Sequence, residues 1–257
     1  MKYLLLLLIS LSYSANTVAI FAHPDDDVIM PMTLARVNVE DALKVVYVTS
    51  GKNGSDFTDY GISPENLGIK REGESIAALG VLGIQPSQII FLRQDDHVGE
   101  QALISGLLYQ ETVNADVVIG FGPDGVYGHD DHLKVWYAFQ KIVEYTQVKL
   151  VLNMAVSVDR NQACGNIITP NPIPNSRINY TFGTADLYVN GVLITDVSQF
   201  HYEYISNYPS QFQPSKMVTL SYLIGEWYMK EEFVLARIRR NLNLDASDFS
   251  QLIGIAR

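Results

Sequence analysis

Between residue 18 and about residue 154, short apolar runs alternate with longer stretches whose apolar positions recur at helical spacing. The runs 18–21, 45–48, 89–92, 117–121 and 150–154 are almost continuously apolar, as strands buried on both faces of a parallel sheet are. Helices are predicted between them over 28–37, 69–82, 100–110 and 131–143. This repetition implies right-handed crossovers and an α/β, Rossmann-like fold, a mostly parallel sheet with helices on both faces. Functional groups in such a sheet gather beyond the carboxyl ends of its strands.

After residue 154 the pattern changes. Residues 166–179, with Pro170, Pro172 and Pro174, read as a surface loop. Asn190-Gly191 between apolar flanks predicts a β-hairpin with a type I′ turn. A helix is expected over 196–207, followed by an apolar, aromatic stretch over 217–240 with a basic end. Together these form a C-terminal accessory β-hairpin and helical layer on the sheet, not a second domain.

Composition narrows the classes. A chain of 257 residues that is 47% hydrophobic fills one large α/β core and is not disordered. The net charge of −10, with no cluster of lysine and arginine, excludes a nucleic-acid partner. Cys164 is the only cysteine, so neither an internal disulfide nor a thiolate zinc knot can form, and any metal must be held by His, Asp or Glu. Cys164 itself, in a loop-like run without histidine, reads as a small residue and not a nucleophile.

The first residues carry Lys2, an apolar run over 4–11 and then Ser12 and Ser14. Residues 1–14 read as a signal peptide or a short N-terminal hydrophobic anchor, below the ~20 apolar residues of a comfortable membrane span. Residues 16–257 are then one domain. The expected location is the secretory pathway, either the endoplasmic reticulum (lumen or membrane) or the exterior, with membrane association through the N-terminus.

The candidate chemistry lies in two clusters. Ala22-His23-Pro24-Asp25-Asp26-Asp27 directly follows the first strand, where His23 and Asp26 can converge on one point above the sheet. His129-Asp130-Asp131-His132 follows the fourth strand after a Gly- and Pro-rich segment, and a helix starting near Asp130 sets its two histidines about one turn apart. Two imidazoles and one carboxylate make a zinc site with a position open to water. Asp25, beside Asp26, is the best-placed general base, and the surplus histidine is free to stabilise an oxyanion or protonate a leaving amine. Asp130 and Asp131 suit helix capping or orientation of the histidines. Metal-assisted amide hydrolysis is the reaction this set serves best. Asp95 and Asp96, in Arg93-Gln94-Asp95-Asp96-His97 after the third strand, face the same edge and are candidates for sugar hydroxyl contacts.

These motifs resemble the GlcNAc-phosphatidylinositol de-N-acetylase family, the LmbE-like zinc deacetylases. That family carries Ala-His-Pro-Asp-Asp-Glu after its first strand, an Arg-x-x-Glu helix ending in Leu-Gly, and a later His-x-x-His. The counterparts here are Ala22 to Asp27, Arg71 to Gly80 and His129 to His132, with Tyr208-Pro209-Ser210-Gln211 similar to a Ser-Gln element after the late helix. The resemblance spans positions 18 to about 211. It implies the metal ligands His23, Asp26 and His132 for Zn2+ or another divalent metal, Asp25 as base and His129 at the tetrahedral intermediate. It further implies substrate contacts from Arg71 and Gln211. Asp27 departs from the family's glutamate.

The expected activity is removal of acetyl from an N-acetylglucosamine moiety in a glycolipid, as in GPI anchor biosynthesis, or in a soluble glycan. A non-catalytic carbohydrate-binding protein of the same fold is the rival from another class, and Asp25 and His129 argue against it. A metal-dependent phosphoesterase would often add a second metal, for which no ligand set is evident. The sequence leaves the oligomeric state undefined.

Overall fold

The computed structural model describes residues 15–155 except 41 and 100, then 180–183, 188–214 and 230–238, with single positions between these segments. Its strands are β1 (Asn16–Phe21), β2 (Ala42–Thr49), β3 (Ile89–Gln94), β4 (Val117–Gly120), β5 (Leu150–Ala155), β6 (Tyr180–Gly183), β7 (Tyr188–Val189), β8 (Val192–Leu193) and β9 (Lys230–Ile238). The helices are α1 (Pro31–Glu40), α2 (Pro64–Val81), α3 (Gln101–Thr112), the single turn α4 (Gly125–Gly128), α5 (Asp130–Tyr145) and α6 (Val197–Ile205). The leader over 1–14, Cys164 and almost all of the proline-rich stretch lie outside the described residues.

All five expected parallel strands form, in the order β3-β2-β1-β4-β5. Their apolar side chains fill the core: Ile20, Phe21, Val45, Val46, Ile119 and Leu152 have no exposed surface. The order reverses between β1 and β4, so a crevice opens beyond their carboxyl ends, and both histidine clusters follow those two strands. Flanking helices pack α3 against α5 and α2 against α6.

Helix starts differ from the periodicity reading for local reasons. Residues Asp26–Ile29 form a 3-10 turn, and α1 begins only at Pro31, whose fixed φ suits a first helical position. Helix α2 begins a turn earlier than expected, because Ser63 accepts a hydrogen bond from the Asn66 amide and Pro64 opens the helix. The hairpin β7–β8 turns through Asn190 (φ 51) and Gly191 (φ 78), both positive as a type I′ turn requires. Beyond the accessory layer, the 217–240 stretch supplies β9, which pairs antiparallel with β5 and with β6. It thereby covers the edge that β5 would otherwise expose.

Candidate metal centre and active site

Each functional turn is built on strained backbone. Asp25 has φ 110 and ψ −17, a left-handed conformation that costs free energy for any residue with a Cβ and clusters at functional sites. Opposite it, the segment between β4 and α5 runs through Gly125 (φ 61), Val126 (φ 68) and Gly128 (φ 85), then places His129 as the N-cap of α5. A β-branched residue at positive φ is a genuine outlier. These two turns bring His23, His129 and His132 together, each with a ring nitrogen within 4.8 Å of the others.

Hydrogen bonds fix what each ring offers. His132 is buried, stacked on Phe121 with centroids 4.0 Å apart, and its Nδ1 donates to the Gly125 carbonyl at 3.0 Å. Its Nε2 therefore faces the Asp26 Oδ1 at 3.0 Å. His23 Nε2 donates to the Asp131 carboxylate at 3.1 Å, and its Nδ1 lies 3.5 Å from Asp26 Oδ2. In both rings one nitrogen is held by an outer acceptor and the other is aimed at the same carboxylate. That is how outer partners orient metal-binding histidines. His129 is different: its Nδ1 accepts the Asp131 amide at 3.2 Å, so the neutral ring carries its proton on Nε2 as a donor.

The charges agree. Burial opposes ionisation of Asp26, but the charges and hydrogen bonds of His132 and His23 outweigh it and hold its carboxyl well below the usual range. Burial lowers the His23 pKa, yet its hydrogen bonds to Asp131 and Asp26 and the nearby carboxylate charges override this and raise it to about 10, favouring the protonated ring. Burial and the neighbouring Asp26 charge push the Asp25 carboxyl up, with Arg71 and His23 opposing. Burial, then the charges of His23 and His132, lowers the pKa of His129. The ring nitrogens of His23, His129 and His132 could thus hold a metal, with the Asp26 carboxylate 3.0 Å from His132 Nε2.

A pocket of about 190 Å³ opens beside this cluster. His23, Asp25, Arg71, Asp96, His129 and Asp131 line it, with Asn53, Gly54, His97 and Tyr127. Arg71 is 7% exposed, donates from Nη2 to the Ser55 carbonyl at 3.1 Å, and has no carboxylate within 4.0 Å among the described residues. Gly51 and Gly54 make room for it: a Cβ there would fall 2.4 and 2.3 Å from its guanidinium nitrogens.

Two expected contact residues lie elsewhere. Asp95 turns outward and pairs with Lys52 at 2.6 Å, while Gln211 donates to Ser210 Oγ at 2.8 Å, and neither lines the pocket. Ser210 in turn donates to Glu74 from both its amide and its hydroxyl, which ties the Ser-Gln element to the Arg-x-x-Glu helix. Of the two aspartates at the α5 start, Asp130 is a surface partner of Lys134, whereas Asp131 orients His23. The sequence reading missed Asn53, Gly54 and Tyr127. The paired glycines Gly51 and Gly54 were a signal of close approach, and the positive φ of Val126, just before Tyr127, had none.

A sheet that opens at its reversal point onto one buried and two half-buried imidazoles, a depressed carboxylate and a raised one has the construction of an α/β enzyme site. Residues 18–143 match the family model described as PIG-L: GlcNAc-PI de-N-acetylase. The matched segment contains both histidine clusters and Arg71. Among solved structures it is similar to N,N'-diacetylchitobiose deacetylase from Pyrococcus horikoshii, at 21% identity and TM-score 0.56, covering 86% of this chain and 84% of that one. A deacetylase of the teicoplanin biosynthetic pathway is similar at 15% identity and TM-score 0.60, covering 88% and 100%. So is GalB, the 4-carboxy-2-hydroxymuconate hydratase of Pseudomonas putida KT2440, at 14% and 0.59, covering 90% and 100%. The sheet alone therefore does not decide the chemistry.

Proposed function

We propose that the chain is a zinc-dependent hydrolase that removes the acetyl group from an N-acetylglucosamine moiety, with N-acetylglucosaminylphosphatidylinositol as the leading substrate. The observation that carries this reading is the division of the three histidines. His23 and His132 each turn one nitrogen toward Asp26 and engage the other elsewhere, whereas His129 presents a donor. His23, Asp26 and His132 would hold the metal. Zinc, when bound, lowers the pKa of water and polarises the acetyl carbonyl.

The remaining steps belong to side chains of this chain. Asp25, on its strained turn in the pocket wall, accepts the proton of the attacking water as the water oxygen bonds to the acetyl carbon. His129 Nε2 donates to the oxyanion of the tetrahedral intermediate. Collapse breaks the carbon–nitrogen bond, and Asp25 returns its proton to the departing amine, giving acetate and the free glucosamine. Arg71 and Asp96 line the same pocket, where a sugar ring would meet a cation and a carboxylate. Burial and the Asp26 charge raise the Asp25 carboxyl, which favours its holding the proton that it returns to the amine.

The family description supports the lipid-linked acceptor, and the likeness to a chitobiose deacetylase supports a soluble N-acetylglucosaminide as the second reading. The apolar leader supports entry into the secretory pathway, with the endoplasmic reticulum or the exterior as its destination. Among the described residues no helix is long and apolar enough to cross a membrane. Intact mass of the expressed protein tests its cleavage.

Purified protein loaded with Zn2+ should release acetate from an N-acetylglucosaminide panel that includes the phosphatidylinositol-linked sugar, and Asp25→Asn should not. The absence of acetate from every acceptor refutes the deacetylase reading. Turnover confined to soluble acceptors refutes the lipid-linked one.

A further inference from the structure

The third carboxylate of the turn, Asp27, faces away from the pocket. It has no exposed surface, and three tyrosine hydroxyls donate to it: Tyr47 at 2.6 Å to Oδ1, Tyr208 at 2.8 and 2.6 Å to the two oxygens, and Tyr204 to Oδ2. Tyr47 belongs to β2, Tyr204 to α6 and Tyr208 to the turn that follows α6. His201, also on α6, donates from Nε2 to the Val28 carbonyl at 3.1 Å. All three tyrosines are themselves fully buried.

The geometry points to Asp27 as a positioning residue that sets the metal-binding turn through this tyrosine cage, an inference that rests on the metal and base assignment above. The turn has reason to need a hold. Its Asp25 sits at φ 110, a conformation that persists only where the surroundings over-determine it. Asp27 is one residue from Asp26 and two from Asp25, and the Asp27 carbonyl accepts the Met30 amide, so fixing its side chain fixes the 3-10 turn that carries both. Four side chains, from β2, α6 and the turn after α6, grip this turn from behind, and none lines the pocket.

The experiment uses full-length protein in three variants, Asp27→Asn, Asp27→Glu and Tyr204→Phe. Zn2+ affinity is measured by chelator competition, kcat and KM by acetate release, and folding by thermal melt. Asp27→Asn sets an amide N–H against hydroxyl donors, and should weaken Zn2+ about 10–100-fold and lower kcat similarly while KM stays within about twofold. Asp27→Glu restores the charge and should recover most of the affinity. Tyr204→Phe removes one hydroxyl from a fully buried ring and should move in the same direction by a smaller factor, so the test survives if Asp27→Asn fails to fold. A lowered melting temperature with parental Zn2+ affinity and kcat in the folded protein would overturn the inference, leaving the cage a purely structural contact. Because Zn2+ affinity is read without substrate, a parent that releases no acetate refutes the deacetylase reading and still leaves the positioning role decided by the metal titration.

Discussion

The segments that end β1 and β3 each carry a histidine and an adjacent pair of aspartates, His23-Pro24-Asp25-Asp26-Asp27 against Arg93-Gln94-Asp95-Asp96-His97, and both leave the same edge of the sheet. Both also carry positive φ, at Asp25 in the first and at Arg93 and His97 in the second. Their depths differ. In the first turn Asp26 and Asp27 are buried, with one aimed at histidines and the other locked among tyrosines. In the second, Asp95 and His97 are exposed, and Asp96 touches the Asn53 amide at 2.6 Å. Residue type therefore does not decide a carboxylate's role. What lies behind the turn does, because a buried carboxylate must find donors or cations and an exposed one need not.

The largest tests fall on the buried turn. His23→Ala should lose bound metal and bring turnover to background, read by metal content and acetate release; stoichiometric zinc in that variant would remove His23 from the ligand set. Asp25→Asn should retain the metal and lower kcat by about 10²–10⁴, the range for loss of a general base. A variant with parental kcat would transfer the proton-handling role elsewhere.

Much of this was legible in advance, and the reasons are physical. The five parallel strands announce themselves because burial on both faces forbids polar alternation. His23, Asp26 and the His129–His132 pair could be placed together because strand ends and a helix start set their backbone positions, and the family resemblance singled out His132 as the ligand. The tyrosine cage could not, since Tyr204 and Tyr208 reach Asp27 across a sequence separation of 177 and 181 residues with no periodic signal. Neither could the outward swing of Asp95, which depends on whether Lys52 or the pocket takes the carboxylate. Side-chain choices between neighbouring aspartates are settled by tertiary partners, which spacing does not record.

Asp131 joins the two turns and gives the intermediate test. It accepts His23 Nε2 from the first, and the amides of His97 at 3.0 Å and Val98 at 2.8 Å from the second. Burial opposes its ionisation, but the His23 hydrogen bond and those two amides hold its carboxyl far below the ordinary 3.8. Asp131→Asn should weaken metal affinity and kcat by about 10–100-fold, as loss of an outer partner to a ligand histidine does. The sign with pH follows from the depressed value: the stabilisation is present above the unfolded pKa and lost as pH falls below it. Acid melts should therefore show the parent's advantage over Asp131→Asn shrinking once pH drops below about 4. An advantage that persists into strong acid would assign the stabilisation to another carboxylate.

The smallest expected effect separates Asp95 from Asp96. Asp96 lines the pocket, and Asp96→Asn should raise KM about tenfold, a typical value for one polar substrate contact. Asp95 points to solvent with a side chain 80% exposed, and its only described partner is Lys52. Exposed ion pairs hold little free energy, so Asp95→Asn should leave kcat/KM within about twofold and the melting temperature nearly unchanged. The two substitutions are chemically identical and adjacent, which removes composition as an explanation for any difference. Equal effects at both positions would mean that the β3 turn rearranges when substrate binds, with Asp95 turning inward as Lys52 releases it. Unequal effects of the predicted order leave the turn as it stands, with one aspartate in the pocket wall and the other on the surface.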